Sequence, residues 1–150
     1  MGRVEAALDR EIEGAASAAW AHLTDWQGFP VRAALPGLES SILVGEATAV
    51  PRTRLLRFAG GMSVSEELFH QDDASRRYYC RTLADGSMPW RGYLASLVID
   101  ESGQGRCMVR LRAWCDAVDP GATDQIRSFI ETSWADGIVA GLERLLRAPT

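Results

Sequence analysis

The chain has 150 residues, 47% of them apolar, and a net charge of −4, the size and make-up of one globular domain. That charge argues against a nucleic-acid binder, which carries a basic stripe, and against attachment to anionic lipid. All sixteen basic residues are arginine and none is lysine, which excludes chemistry through a lysine Schiff base.

Residues 3–12, RVEAALDREI, alternate as a strand with Val4, Ala6, Leu8, Arg10 and Ile12 in one register. GAASAAWAHLTDW then has the small, unbranched residues of a short helix, with Trp20, Leu23 and Ser17 sharing its inner face. QGFPVRAALPG is turn-rich, and Pro30 and Pro36 limit any helix there to a turn or two. From Leu38 to Asp119 strands dominate: LESSILVGE, RTRLLRF, MSVSEELFHQ, RRYYCRTLADG, RGYLASLVIDE and RCMVRLRAWCDAV. Turn signals such as Gly60-Gly61, QDDAS and SGQG separate them without intervening helices, the signature of an antiparallel meander. In the last of these strands Val109, Leu111, Ala113 and Cys115 form the inward set, which leaves Arg110, Arg112 and Trp114 outside; a reversed register would bring Arg112 in.

The period then changes to helical. ATDQIRSFIETSWADGIVAGLERLLR carries Ile126, Phe129, Ile130, Ser133, Trp134, Gly137, Ile138, Gly141, Leu142 and Leu145 on one broad stripe, and Thr123 or Asp124 can cap its start. Glycine within a helix costs about 1 kcal/mol relative to alanine, so Gly137 and Gly141 imply close packing or room for a ligand. One long helix against one curved sheet gives an α+β layer fold, expected as a single domain over residues 1–150.

Cys80, Cys107 and Cys115 form no C-x-x-C pair and have no histidine at metal spacing. The N-terminus shows no charged-then-apolar leader, and no apolar run is long enough to cross a membrane. A reduced, cytoplasmic protein without membrane insertion and without a metal or other cofactor is expected.

One hairpin carries the chemistry. Alternation places Val64, Glu66 and Leu68 on one face of its first strand, and Tyr79, Arg81 and Leu83 on one face of the second. Each apolar face thus holds one charge at its middle. An unpaired charge on a core face is costly, so Glu66 and Arg81 are expected as a facing pair in a pocket, with Val64 and Leu83 beside them. Tyr79 and Tyr93 combine an apolar body with a donor tip and suit the same lining.

The order of elements, together with AAWAHLTDWQGFP, LPGLESS, SEELFHQDDASRRYYCRTLADGSMPWRGYLASLVI and FIETSWADGIVAGLERLL, resembles the Bet v 1/START-like (SRPBCC) superfamily in its polyketide cyclase/dehydrase-like branch. The resemblance spans essentially the whole chain. It implies a helix-grip fold: a curved antiparallel β-sheet wrapped around a long C-terminal α-helix, with two short helices and an internal cavity. The pattern of the plant abscisic-acid receptors, members of the same superfamily, lays onto Val64–Leu97 without gaps. That likeness implies a pocket glutamate at Glu66, a pocket tyrosine at Tyr93 and a ligand position at Ala95. It places an aromatic pocket position on Arg81, a gate at Ala59-Gly60-Gly61, a latch at Met88-Pro89-Trp90, and ligand-facing positions at Phe129, Ser133 and Gly137. The receptors' ligand-binding lysine has no counterpart.

Three readings of function follow. The first is a cofactor-independent cyclase or dehydratase acting on a polyketide-like or other hydrophobic molecule. Glu66 would be its acid or base, Arg81 would stabilise developing negative charge, and Tyr93 would donate a hydrogen bond. The second is a non-catalytic carrier or sensor of a hydrophobic ligand. The third is a protein–protein adaptor, which predicts a small or filled cavity, with Trp90 and Trp114 as its contact residues. The expected partner is a small hydrophobic molecule rather than nucleic acid, and a homodimer is compatible with any of the three.

Overall fold

A computed structural model describes residues 2–84 and 88–148. Strand β1 (Gly2–Glu13) leads into two short helices, α1 (Ala16–Thr24) and α2 (Gly28–Arg32). Six strands follow: β2 (Leu38–Val44), β3 (Arg52–Phe58), β4 (Ser63–Asp72), β5 (Arg77–Ala84), β6 (Trp90–Gly103) and β7 (Arg106–Ala117). The strand read through Gly86 is seen to Ala84; Asp85 and Gly86 lie outside the described residues. The sheet is antiparallel throughout, in the order β1-β7-β6-β5-β4-β3-β2. A helix running over residues 123–147 closes the fold as α3 (Thr123–Ser133), a π segment (Trp134–Val139) and α4 (Ala140–Arg147). This is the helix-grip arrangement. No helix among the described residues is long and apolar enough to cross a membrane.

Alternation sets the sheet's two faces. In β7, Val109, Leu111, Ala113 and Cys115 are buried against the helices. Arg110 and Arg112 lie on the outer face and both pair with Asp9 of β1, Arg112 at 2.9 Å. Their guanidinium groups, Arg112 first, hold the Asp9 carboxyl below the usual range. In α1 the inner face is Ala16, Ala19, Trp20 and Leu23, while Ser17 is exposed: the 3.6-residue period that buries Trp20 selects Ala16 instead. The long helix takes no cap from Thr123 or Asp124. Asp119 accepts from the Gly121 amide at 2.9 Å, one turn earlier.

The π segment changes the helix's buried stripe. The extra residue per turn moves burial to Val139 and leaves Ile138 half-buried at the cavity. The two stripe glycines then part company. A Cβ on Gly141 would fall 2.6 Å from Ala33 Cβ and 2.8 Å from the Ala33 carbonyl oxygen, so its role is to let the turn after α2 dock on the helix. At Gly137 the nearest atom would be the tip of Leu35, at 3.2 Å. Gly141→Ala is therefore expected to destabilise by about 1–3 kcal/mol through overpacking, despite a helix-propensity gain of about 1 kcal/mol. Gly137→Ala should be near neutral, since Leu35 can rotate; urea denaturation of both variants checks the contrast.

Candidate functional site

Between the concave face of the sheet and the long helix lies a cavity of about 910 Å³. Its floor comes from β3–β6 and its wall from α3 and the π segment. The turns at Leu35-Pro36 and Met62, with Met88 just before β6, complete it. The lining is largely apolar, from Phe29, Leu56, Phe58, Val64, Trp90 and Ile138. The opening lies along the exposed helix face, where Phe129 is 50% exposed and Ser128, Thr132 and Asp136 share the rim.

One ion pair sits inside. Glu66 on β4 faces Arg54 on β3, its register partner. Arg54 Nε donates to Glu66 Oε1 at 3.1 Å, and Nη2 approaches the same oxygen at 3.0 Å. The side chains are 8% and 17% exposed. Arg54 Nη1 donates to the Trp26 carbonyl at 3.0 Å, and the guanidinium lies over the Trp26 ring, 3.5 Å from its centre. Trp26 Nε1 in turn donates to the Glu66 carbonyl at 3.2 Å. Every nitrogen of the guanidinium is thereby committed to Glu66 or Trp26. Stacking and hydrogen bonding together fix this arginine as a lysine could not be fixed.

Arg81 is not in the cavity. It lies on the outer face, 54% exposed, and pairs with Glu67 at 2.8 Å over the Phe69 ring. Tyr79 and Leu83 share that face, with Tyr79 against Phe69 and His70 and Leu83 51% exposed. The inward set of β5 is Tyr78, Cys80 and Thr82. Both sets hold a tyrosine and one polar group, so alternation alone did not choose between them, and a slip of one residue inverts every side chain. The two residues missed are Arg54 and Tyr78. The signal for Arg54 was present in RTRLLRF, where Arg52, Arg54, Leu56 and Phe58 share a register. Arg52 is also buried, but serves the frame: it donates to the carbonyls of Ala49 and Thr24 and to Gln71 Oε1.

Glu66, Tyr93, Val64, Met88, Trp90, Phe129, Ser133 and Gly137 all line the cavity. The Ser133 hydroxyl donates to the Phe129 carbonyl at 2.7 Å. Ala95 does not reach the lining; it is buried in the core, opposite Cys80 and Ala113. Trp90 is not an exposed loop residue but a buried one, stacked on Tyr93 at 5.4 Å and 6.1 Å from Phe129. Met88 is likewise buried. At the other loop Gly60 and Gly61 both have positive φ, 86° and 81°, a turn that favours two glycines in succession. Burial pushes the hydroxyls of Tyr78 and Tyr93 well above the usual phenol range, so both remain protonated donors.

Residues 2–148 match the family described as polyketide cyclase / dehydrase and lipid transport. The chain belongs to that family. No curated protein matches it. Among solved structures, XoxI from Bacillus cereus superposes with a TM-score of 0.80 at 19% identity, over 95% of each chain. Norcoclaurine synthase from Thalictrum flavum, in complex with dopamine and hydroxybenzaldehyde, gives 0.78 at 15% identity, over 99% of this chain and 90% of the other. A protein from Thermobifida fusca gives 0.78 at 21%, over 97% of both. At these identities the likeness establishes the fold, shared with other Bet v 1-like proteins. The family description supports a hydrophobic-ligand-binding protein of SRPBCC type.

Proposed function

We propose that the cavity binds a polyketide-like or similarly hydrophobic carbonyl compound and catalyses its cyclisation or dehydration without a cofactor. The carrying observation is the Arg54–Glu66 pair inside a largely apolar cavity, beside the protonated hydroxyls of Tyr78 and Tyr93. Glu66 removes a proton from carbon next to a substrate carbonyl, and the C–H electron pair moves onto the carbonyl oxygen as an enolate. Negative charge leaves Glu66 as it arrives on the substrate, so Arg54 then faces the enolate while the cavity's net charge stays constant. Tyr93 donates to the developing oxyanion. The enolate carbon attacks a second carbonyl, closing the ring, and Glu66 returns its proton to the new alkoxide. In a dehydration, Glu66 takes a second proton from the carbon next to the carbonyl, and its acid form then delivers that proton to the hydroxyl, which leaves as water as the enolate electron pair forms the new C=C bond. Arg54 thus takes the charge-stabilising role that the sequence gave to Arg81, and before the reaction it also positions Glu66. Phe129, Ser133, Gly137, Met88, Trp90 and Val64 shape the ligand volume, so that much of the rate comes from orientation.

The carrier reading shares the same cavity and is favoured by the largely apolar lining. The adaptor reading predicts a small or filled cavity, which the 910 Å³ volume contradicts. Native mass spectrometry of the wild type and Glu66→Gln, each exposed to a hydrophobic metabolite extract and repurified, separates the other two. The enzyme reading expects a substrate retained by Glu66→Gln and absent, or converted, on the wild type. A carrier holds the same molecule on both proteins. No bound molecule on either would overturn the ligand-binding reading.

A further inference from the structure

The charges around the cavity limit what can enter it. Among the described lining residues the one cation is Arg54, and it is already committed to Glu66, to the Trp26 carbonyl and to the Trp26 ring. The chain has no lysine to supply another. The remaining charged lining groups are negative. Glu66 is inside, and Asp124 and Asp136 are on the helix at the opening, where Asp124 bonds to Arg127. A carboxylate brought to Arg54 would sit beside Glu66 in an apolar enclosure, where like charges repel strongly and water screens little. Asp136 adds a further negative charge to the lining.

We infer that the cavity takes its hydrophobic ligand with an uncharged or amine polar end and excludes free carboxylates. This rests on the ligand-binding reading above and narrows it. The reacting end is neutral on entry and becomes negative only as Glu66 gives up its charge. A discarded anionic ligand class is the physical consequence of an arginine whose partner is built into the adjacent strand.

The test uses three probes with one aromatic body: naphthylethanol, naphthylethylamine and naphthylacetate, titrated calorimetrically into the protein at neutral pH. The expected result is binding of the alcohol and the amine, with the carboxylate weaker by about tenfold or more. In Glu66→Gln, checked for an unchanged circular dichroism spectrum, the negative charge that repels an incoming anion is gone while Arg54 keeps its own, and affinity for naphthylacetate should rise about tenfold while that for naphthylethanol changes little. Naphthylacetate binding the wild type as tightly as naphthylethanol would overturn the charge inference and leave the cavity reading intact. If none of the three binds, the ligand-binding reading falls, and this inference with it. The wild-type ranking decides the matter even if the variant does not fold.

Discussion

Arg54→Met is expected to lower stability by about 3 kcal/mol, the low end for removing one partner of a buried pair because Glu66 opens onto the cavity. For a chain of this length that is a fall of about 6–12 °C in melting temperature. Most of the loss is not the attraction itself. It is the cost of leaving the Glu66 carboxylate in an apolar enclosure without its guanidinium, together with the donor lost to the Trp26 carbonyl. The double variant Arg54→Met/Glu66→Leu removes the stranded charge, and it should recover all but about 1 kcal/mol, the residue of the unpaired Trp26 carbonyl. Thermal and urea unfolding of the two singles and the double gives the coupling directly. Equal stability of Arg54→Met and the wild type would mean that the pair does not hold Glu66 as an ion.

Arg54 does not stand out in the sequence, for a physical reason. Strand positions are legible because β1–β7 are bounded by clear turn residues, and β1, β3, β5 and β7 show period-2 burial over much of their length. Glu66 was legible because Val64 and Leu68 flank it. Its partner was not, because two strands neighbour β4 and each offers an arginine. On β5 Arg81 stands opposite Glu67, whereas on β3 Arg54 stands opposite Glu66. The β4 register also shifts between Leu68 and His70, which no alternation pattern reveals. Trp90 shows the same limit from another side. A tryptophan following Pro89 reads as a loop residue, yet the end of the loop is where β6 begins, and Tyr93 offers it a ring to stack on. Gly137 and Gly141 were rightly singled out. Only the third dimension tells that Gly141 receives the Ala33 backbone whereas Gly137 borders the cavity.

The scaffold assigns stability and chemistry to different parts of one sheet. The outer face is covered by exposed ion pairs such as Arg81–Glu67 and Arg112–Asp9, each worth little alone. The inner face of β7 is continuous core, with Val109, Leu111, Ala113 and Cys115 all buried. The cavity lies between β3–β6 and the long helix, and it is there that the sequence tolerates two charges facing inward. A buried pair contributes little net stability compared with apolar packing, so its presence at that one place is better explained by what it does to a bound molecule.

Glu66→Gln carries the largest expected effect on function. The amide keeps the shape and can still accept from Arg54, so melting temperature should move far less than in Arg54→Met. It cannot take up a proton. Turnover of the molecule identified on the trapped protein should fall by about 10²–10⁴-fold, the usual worth of a general acid–base group, with KM nearly unchanged because the apolar walls still hold the substrate. Tyr93→Phe provides the graded comparison. It removes one donor to the oxyanion but leaves the proton acceptor in place, and its loss should be smaller, with the stack on Trp90 preserved. If Glu66→Gln turns over at the wild-type rate, Glu66 is a structural partner of Arg54 and nothing more. The proton must then be handled by the substrate itself, and the cavity's contribution would reduce to folding an apolar chain into a reactive shape.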